Sequence, residues 1–156
     1  MANDKVRRIN STGPLQTETL AQQVSRQLKG REVIELVSDL GGGKTTFVRG
    51  LARGLGSTDV VNSPTFKISN VYRSPSLTIN HFDLYRLTEP GLVSYELAEV
   101  IDDSRAVTII EWAGAAADVL PAERLTVQFE PVGENDRLVT FRCPETLAYL
   151  LTGLDQ

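Results

Sequence analysis

Lys44 and Thr45, preceded by Gly41, Gly42 and Gly43, form the stretch whose residue types and spacing spell out a specific chemistry, the binding of a nucleotide's phosphates. Glycines keep side chains out of the way, so successive backbone N–H groups can converge on an anion. The positive end of a following helix would stand behind them. Lys44 then reaches the β- and γ-phosphates, and the Thr45 hydroxyl is placed for the accompanying magnesium. Leu40 and Thr46 flank the same loop. The stretch follows the pattern G-x-x-x-x-G-K-[ST] except at its first position, where Ser38 replaces glycine. The plain alternative is a glycine-rich turn that precedes a lysine by coincidence.

Two acids qualify as partners of such a loop. Glu111 ends the apolar run Val107 to Ile110, and Asp83 follows the run Leu77 to Phe82. In open α/β sheets ligands sit beyond the carboxyl ends of strands. A carboxylate there can hold a magnesium-bound water or orient an attacking one. Either acid could equally be a solvated strand-end group. Ser63-Pro64-Thr65-Phe66 lies where nucleotide-binding proteins often place a segment that senses the γ-phosphate, so Thr65 is a candidate. A plain turn over a buried Phe66 is the competing reading. Trp112, the sole tryptophan, is open to core packing or to nucleotide contact. His81, the sole histidine, reads as structural, and Arg86 as a surface residue that could approach a phosphate.

These residues need elements to position them. Val33 to Val37 is a short β-branched run suited to a buried strand. Phe47, Val48, Leu51, Ala52 and Leu55 recur at helical spacing up to Gly56. Residues 1–12 read as a flexible tail, followed by a helix that Thr17 caps and that carries Leu20, Val24 and Leu28 on one face. Lys67–Tyr72 and Leu77–Phe82 flank a Ser/Pro turn and predict a hairpin. Thr88-Glu89-Pro90 opens a further helix toward Ile101. Strand-like runs follow at Leu125–Phe129 and Leu138–Arg142, with a short helix at Leu147–Leu151. The whole predicts one α/β domain over residues 1–156: a three-layer sandwich of the P-loop NTPase type, its central sheet mainly parallel with added antiparallel strands.

Composition narrows the class. At 156 residues, with 41% hydrophobic and 23% charged residues, the chain suits one globular core. A net charge of −4 argues against a broad basic face for nucleic acid. One cysteine, Cys143, allows no intramolecular disulfide. No apolar run has bilayer-crossing length and no signal-peptide core opens the chain, so the expected compartment is the cytoplasm, with no membrane partner.

In order and spacing, Asp39-Leu40-Gly41-Gly42-Gly43-Lys44-Thr45-Thr46, Ser63-Pro64-Thr65-Phe66, His81-Phe82-Asp83-Leu84-Tyr85-Arg86-Leu87 and Ile110-Glu111-Trp112 resemble the TsaE (formerly YjeE) family. The resemblance runs from about Thr17 to Pro121. Family members usually carry glycine at the position of Ser38 and alanine at that of Gly42. It implies an ATPase that binds ATP and magnesium and is required for threonylcarbamoyladenosine modification of tRNA. It also implies two protein partners, TsaB and TsaD, with tRNA reached indirectly through their complex. Under it, Lys44 and Thr45 serve phosphate and magnesium, Thr46 serves the α-phosphate, and Asp83 and Glu111 serve metal or water. Thr65 belongs to a switch-like segment, Trp112 lies near the site, and Thr19 is a candidate on the adenine side. A small-molecule kinase would share the loop and Glu111 but needs an acceptor pocket and a lid. A nucleotide-sensing adaptor without turnover would share the binding residues. A GTPase is disfavoured because no Asn/Thr-Lys-x-Asp motif follows the loop.

Overall fold

The computed structural model describes residues 4–38, 43–63, 68–85, 91–116 and 118–154. Seven strands make one sheet: β1 (Lys5–Ser11), β2 (Val33–Val37), β3 (Ser69–Arg73), β4 (Thr78–Asp83), β5 (Ala106–Glu111), β6 (Leu125–Pro131) and β7 (Arg137–Cys143). Their spatial order is β1-β7-β6-β2-β5-β4-β3. The central pairings β6–β2, β2–β5 and β5–β4 are parallel, while β1–β7, β7–β6 and β3–β4 are antiparallel. All six residues of β5 are buried, as expected for a strand covered on both faces. In β6 buried and more exposed residues alternate near its start, as in a strand with one open face.

Among the described residues, three α-helices accompany the sheet: α1 (Pro14–Ser25), α2 (Lys44–Gly54) and α3 (Gly91–Ile101). Leu20, Ala21 and Val24 of α1 and Phe47, Val48 and Leu51 of α2 pack on Ile34, Leu36, Ile109, Val127 and Phe141. The opposite face holds a smaller cluster in which Val93 and Leu97 of α3 meet Val33, Phe82 and Ile110. Ile109 and Ile110 thus face opposite layers, which is the two-residue period of a strand between helices. The sheet with helices on both faces is the three-layer, mainly parallel architecture read from the sequence.

Three local readings change. Residues 5–11, expected as part of a flexible tail, form β1 and pair in register with β7 from Lys5↔Cys143 to Ser11↔Arg137. The first helix starts at Pro14 rather than after Thr17, because proline's fixed φ suits the first helical position. Thr17 lies inside the helix and its hydroxyl meets the Ser11 hydroxyl at 2.7 Å. The closing helix is a 3₁₀ segment, Glu145–Leu151. Thr88-Glu89-Pro90 lies outside the described residues; Gly91–Ile101 is helical. Cys143 is buried in β7, and burial pushes its thiol pKa up to about 11, which leaves it a poor nucleophile.

The α1–α2 contact depends on glycines of α2, Gly50 and Gly54. A Cβ on Gly50 would stand 2.5 Å from the Glu18 carbonyl oxygen and 2.7 Å from the Ala21 Cβ. Gly50→Ala would gain about 1 kcal/mol of helix propensity. Overpacking against a backbone carbonyl costs about 1–3 kcal/mol, so a net loss of stability is expected. Thermal unfolding checks this: Gly50→Ala should melt lower than the parent. Gly91→Ala, whose Cβ meets nothing within 4 Å, should not.

Candidate functional site

The four mutually parallel strands deliver their carboxyl ends to one edge of the sheet. β2 leads there into residues 38–43, and α2 begins at Lys44 with Gly43 as its N-cap. Gly43 has φ 108°, a left-handed conformation that glycine adopts without strain. Phe47 N–H donates to the Gly43 carbonyl at 3.0 Å. The N–H groups of Lys44, Thr45 and Thr46 therefore lie in the turn that has no intrahelical acceptors. No acidic residue occupies that first turn, so the positive end of α2 is left for an outside anion. Thr45 and Thr46 are half-buried there.

Lys44 is buried, with 6% of its side chain exposed, and Glu111 with 4% faces it. Its Nζ lies 3.7 Å from Glu111 Oε1, donates to the Ser38 carbonyl at 3.2 Å, and sits 4.4 Å from the centre of the Trp112 ring. Three acceptors of different kinds hold one ammonium: a carboxylate, a carbonyl and an aromatic face. Trp112 is positioned by an uncommon backbone, φ 59°, which for a bulky residue is a strained geometry of the sort found at binding sites. Its ring lies 4.8 Å from that of Tyr85.

Glu111 and Asp83 are in-register partners at the ends of β5 and β4, so the two acids stand side by side. Asp83 accepts from the Tyr85 N–H at 3.1 Å and from the Ser63 hydroxyl at 3.4 Å. The other Glu111 oxygen, Oε2, is 2.6 Å from Nε2 of His81, which is fully buried. His81 read as structural in the sequence, yet it is bonded directly to a candidate acid. The available signal was its period-2 relation to Asp83 on β4, which puts both on one face. Leu40, Gly41, Gly42, Thr65 and Arg86 lie outside the described residues. Thr19 is exposed on α1, where its hydroxyl donates to the Leu15 carbonyl at 3.0 Å, and it does not belong to the group around Glu111.

The donors suit a hard, oxygen-loving dication held partly by a polyanion, rather than one caged by protein alone. Among the described residues no group of three or more His, Cys, Asp or Glu side chains forms such a cage. Thr45, Asp83 and Glu111 are the oxygen donors available beside the start of α2. Among the described residues, no helix is long and apolar enough to cross a membrane.

Comparison with known proteins gives a consistent result. The family model described as threonylcarbamoyl adenosine biosynthesis protein TsaE matches residues 11–139. The chain is 37% identical over 135 residues to a Bacillus subtilis protein named tRNA threonylcarbamoyladenosine biosynthesis protein TsaE, covering 84% of this chain and 82% of that one. It is 35% identical over 117 residues to the Treponema pallidum protein of the same name, covering 75% and 86%. A crystal structure of Bacillus subtilis YdiB superposes with a TM-score of 0.79 at 31% identity, covering 96% of this chain and 94% of that one.

Proposed function

The chain belongs to the TsaE family, whose members take part in threonylcarbamoyladenosine biosynthesis on tRNA, and from that premise we propose that it binds ATP with magnesium and hydrolyses ATP in support of that modification. The observation that carries this reading is the buried Lys44 ammonium, 3.7 Å from Glu111 at the first turn of α2. A desolvated cation beside an acid-free helix N-terminus favours a phosphate chain. On this reading Lys44 turns from Glu111 toward the phosphates, and backbone N–H groups of the loop and of α2 orient them. Glu111 and Asp83 would hold magnesium or its water, and Glu111 would orient the attacking water and take up its proton. Magnesium, when bound through Thr45 and the phosphates, would neutralise charge that builds on the phosphate oxygens. Thr46 would serve the α-phosphate, Thr65 would sense the γ-phosphate, and Trp112 would flank the nucleotide.

We further infer that the protein works in the cytoplasm with TsaB and TsaD and meets tRNA through their complex. Arg49 and Arg53 lie along α2 after its first turn, and Arg53 is engaged with Glu18 at 2.7 Å. Among the described residues, Lys44 and Glu111 bond to each other, to Ser38, to His81 and to the Trp112 ring, and to no arginine. P-loop enzymes that gain a missing arginine from another protein accelerate by about 10³ to 10⁵. Steady-state phosphate release from ATP is therefore expected to be feeble with the protein alone and to rise markedly when TsaB and TsaD are added. Full turnover alone, unchanged by both partners, would sink the partnered-ATPase reading. Transfer of phosphate to a small acceptor would make the protein a kinase, and binding without any turnover would make it an adaptor.

A further inference from the structure

Glu111 is held by more than the lysine. As an ionised carboxylate it only accepts, so the 2.6 Å contact requires a proton on His81 Nε2, donated to Oε2. The other ring nitrogen, Nδ1, lies 3.3 Å from the Tyr72 hydroxyl. That hydroxyl also lies 2.8 Å from the Asn62 carbonyl, which can only accept. Burial raises the Tyr72 pKa, so the phenol keeps its proton. One proton cannot serve both neighbours fully, and the shorter distance assigns it to Asn62. The Asn70 side-chain amide braces the same point, donating to the Asn62 carbonyl at 3.1 Å and to the Tyr72 oxygen at 3.4 Å.

A continuous path therefore runs from the Glu111 carboxylate through His81 and Tyr72 to the backbone of residue 62. Its next residue, Ser63, touches Asp83, the neighbouring acid. Both ends of the path return to the same pair of strand ends. Tyr72 and His81 belong to neighbouring strands, β3 and β4, whose register pairs Asn70 with His81 and Tyr72 with Ile79. The hairpin thus fixes their separation independently of any ligand. Tyr72 has 3% of its surface exposed and His81 none, whereas Asn62 is exposed. A rigid, buried pair joins the acid to a surface segment.

We propose that His81 is a positioning residue that fixes the orientation of Glu111, and that Tyr72 couples this orientation to the placement of the Asn62–Ser63 segment. The inference rests on the reading that Glu111 serves ATP hydrolysis. The segment and the acid then adjust together: displacing the Asn62 carbonyl frees the Tyr72 proton for His81 and alters the restraint on Glu111. The surface segment thereby reaches both acids, Asp83 directly through Ser63 and Glu111 through Tyr72 and His81.

The test uses the full, untagged chain with ¹⁵N-labelled histidine, whose one histidine gives one set of ring signals. In Tyr72→Phe, which keeps the ring and loses the hydroxyl, and in Glu111→Gln, the His81 ring nitrogens should both shift. In single-turnover hydrolysis, Tyr72→Phe and His81→Leu should each lose about 10- to 100-fold, the usual cost of removing a partner that orients a site ligand. ATP affinity should stay at the parental value. His81→Gln, which retains an N–H donor toward Oε2, should recover most of the rate lost in His81→Leu. Equal losses in His81→Leu and His81→Gln, each with a lowered melting temperature, would reduce His81 to packing and overturn the proposal. So would a Tyr72→Phe protein with parental rate and unmoved ring signals. A parent that releases no phosphate even with TsaB and TsaD present refutes the hydrolysis reading itself; a parent that turns over while its variants match it refutes this inference alone.

Discussion

Lys44→Ala is expected to lose ATP hydrolysis by about 10²- to 10³-fold, the range for removing one preorganised donor from a developing charge. It should also weaken ATP binding, because no other described cation contacts Glu111 at the start of α2. The substitution has a second effect that a surface lysine would not show. Taking away one partner of a buried ion pair costs about 3–5 kcal/mol when the remaining charge is left alone. Here Glu111 keeps its bond to His81, so the loss of stability should fall below that range. Lys44→Met separates the contributions, since it keeps an unbranched side chain of similar length and removes the charge. Calorimetry with ATP and single-turnover phosphate release check the outcome. Unchanged affinity together with unchanged turnover in both variants would remove Lys44 from the site.

Glu111→Gln should bind ATP and hydrolyse it about 10²- to 10⁴-fold more slowly, the span for losing a positioned general base. The side chain keeps its shape, but its two ends are no longer equivalent. His81 Nε2–H requires an acceptor, so the amide oxygen is drawn to it and the NH₂ group turns toward Lys44 Nζ. Two donors would then face each other where an ion pair stood at 3.7 Å. Lys44 is thereby released from its hold, and ATP affinity should be maintained or rise while the chemical step fails. Single-turnover hydrolysis at the parental rate would show that the carboxylate takes no part in it.

The parts of the site that repeat a local pattern were legible in the sequence. Strand and helix around Lys44 follow from Val33–Val37 and the spacing of Phe47, Val48 and Leu51. Asp83 and Glu111 could be ranked because each ends an apolar run, and the structure places them in register. What remained hidden depends on pairing between distant residues. Nothing near His81 announces Glu111, because the contact comes from β4 lying beside β5 and is absent from either strand alone. Nothing in Lys5 to Ser11 announces a strand, since Val6 and Ile9 are three apart and break the two-residue alternation. Pairing with β7 overrides that weak local pattern. Thr17 was a reasonable cap on residue type, but Pro14 offered a stronger start.

The pairing of β1 with β7 also bears on how the chain is made. β1 leaves the ribosome well before β7 and finds its partner only when residue 143 has emerged. β2, which precedes Lys44, likewise waits for β5 and β6. At about 5–20 residues per second, the N-terminal strand stays unpaired for several seconds or more. Lys5, Arg7 and Arg8 interrupt its apolar residues through that interval, and flanking charge of this kind discourages self-association of exposed strands. A nascent chain stopped before β7 would lack the neighbour of both β1 and β6, leaving one flank of the sheet unfinished. β1 and β7 therefore complete the sheet together, and the sheet behind Lys44 is finished only when both are present.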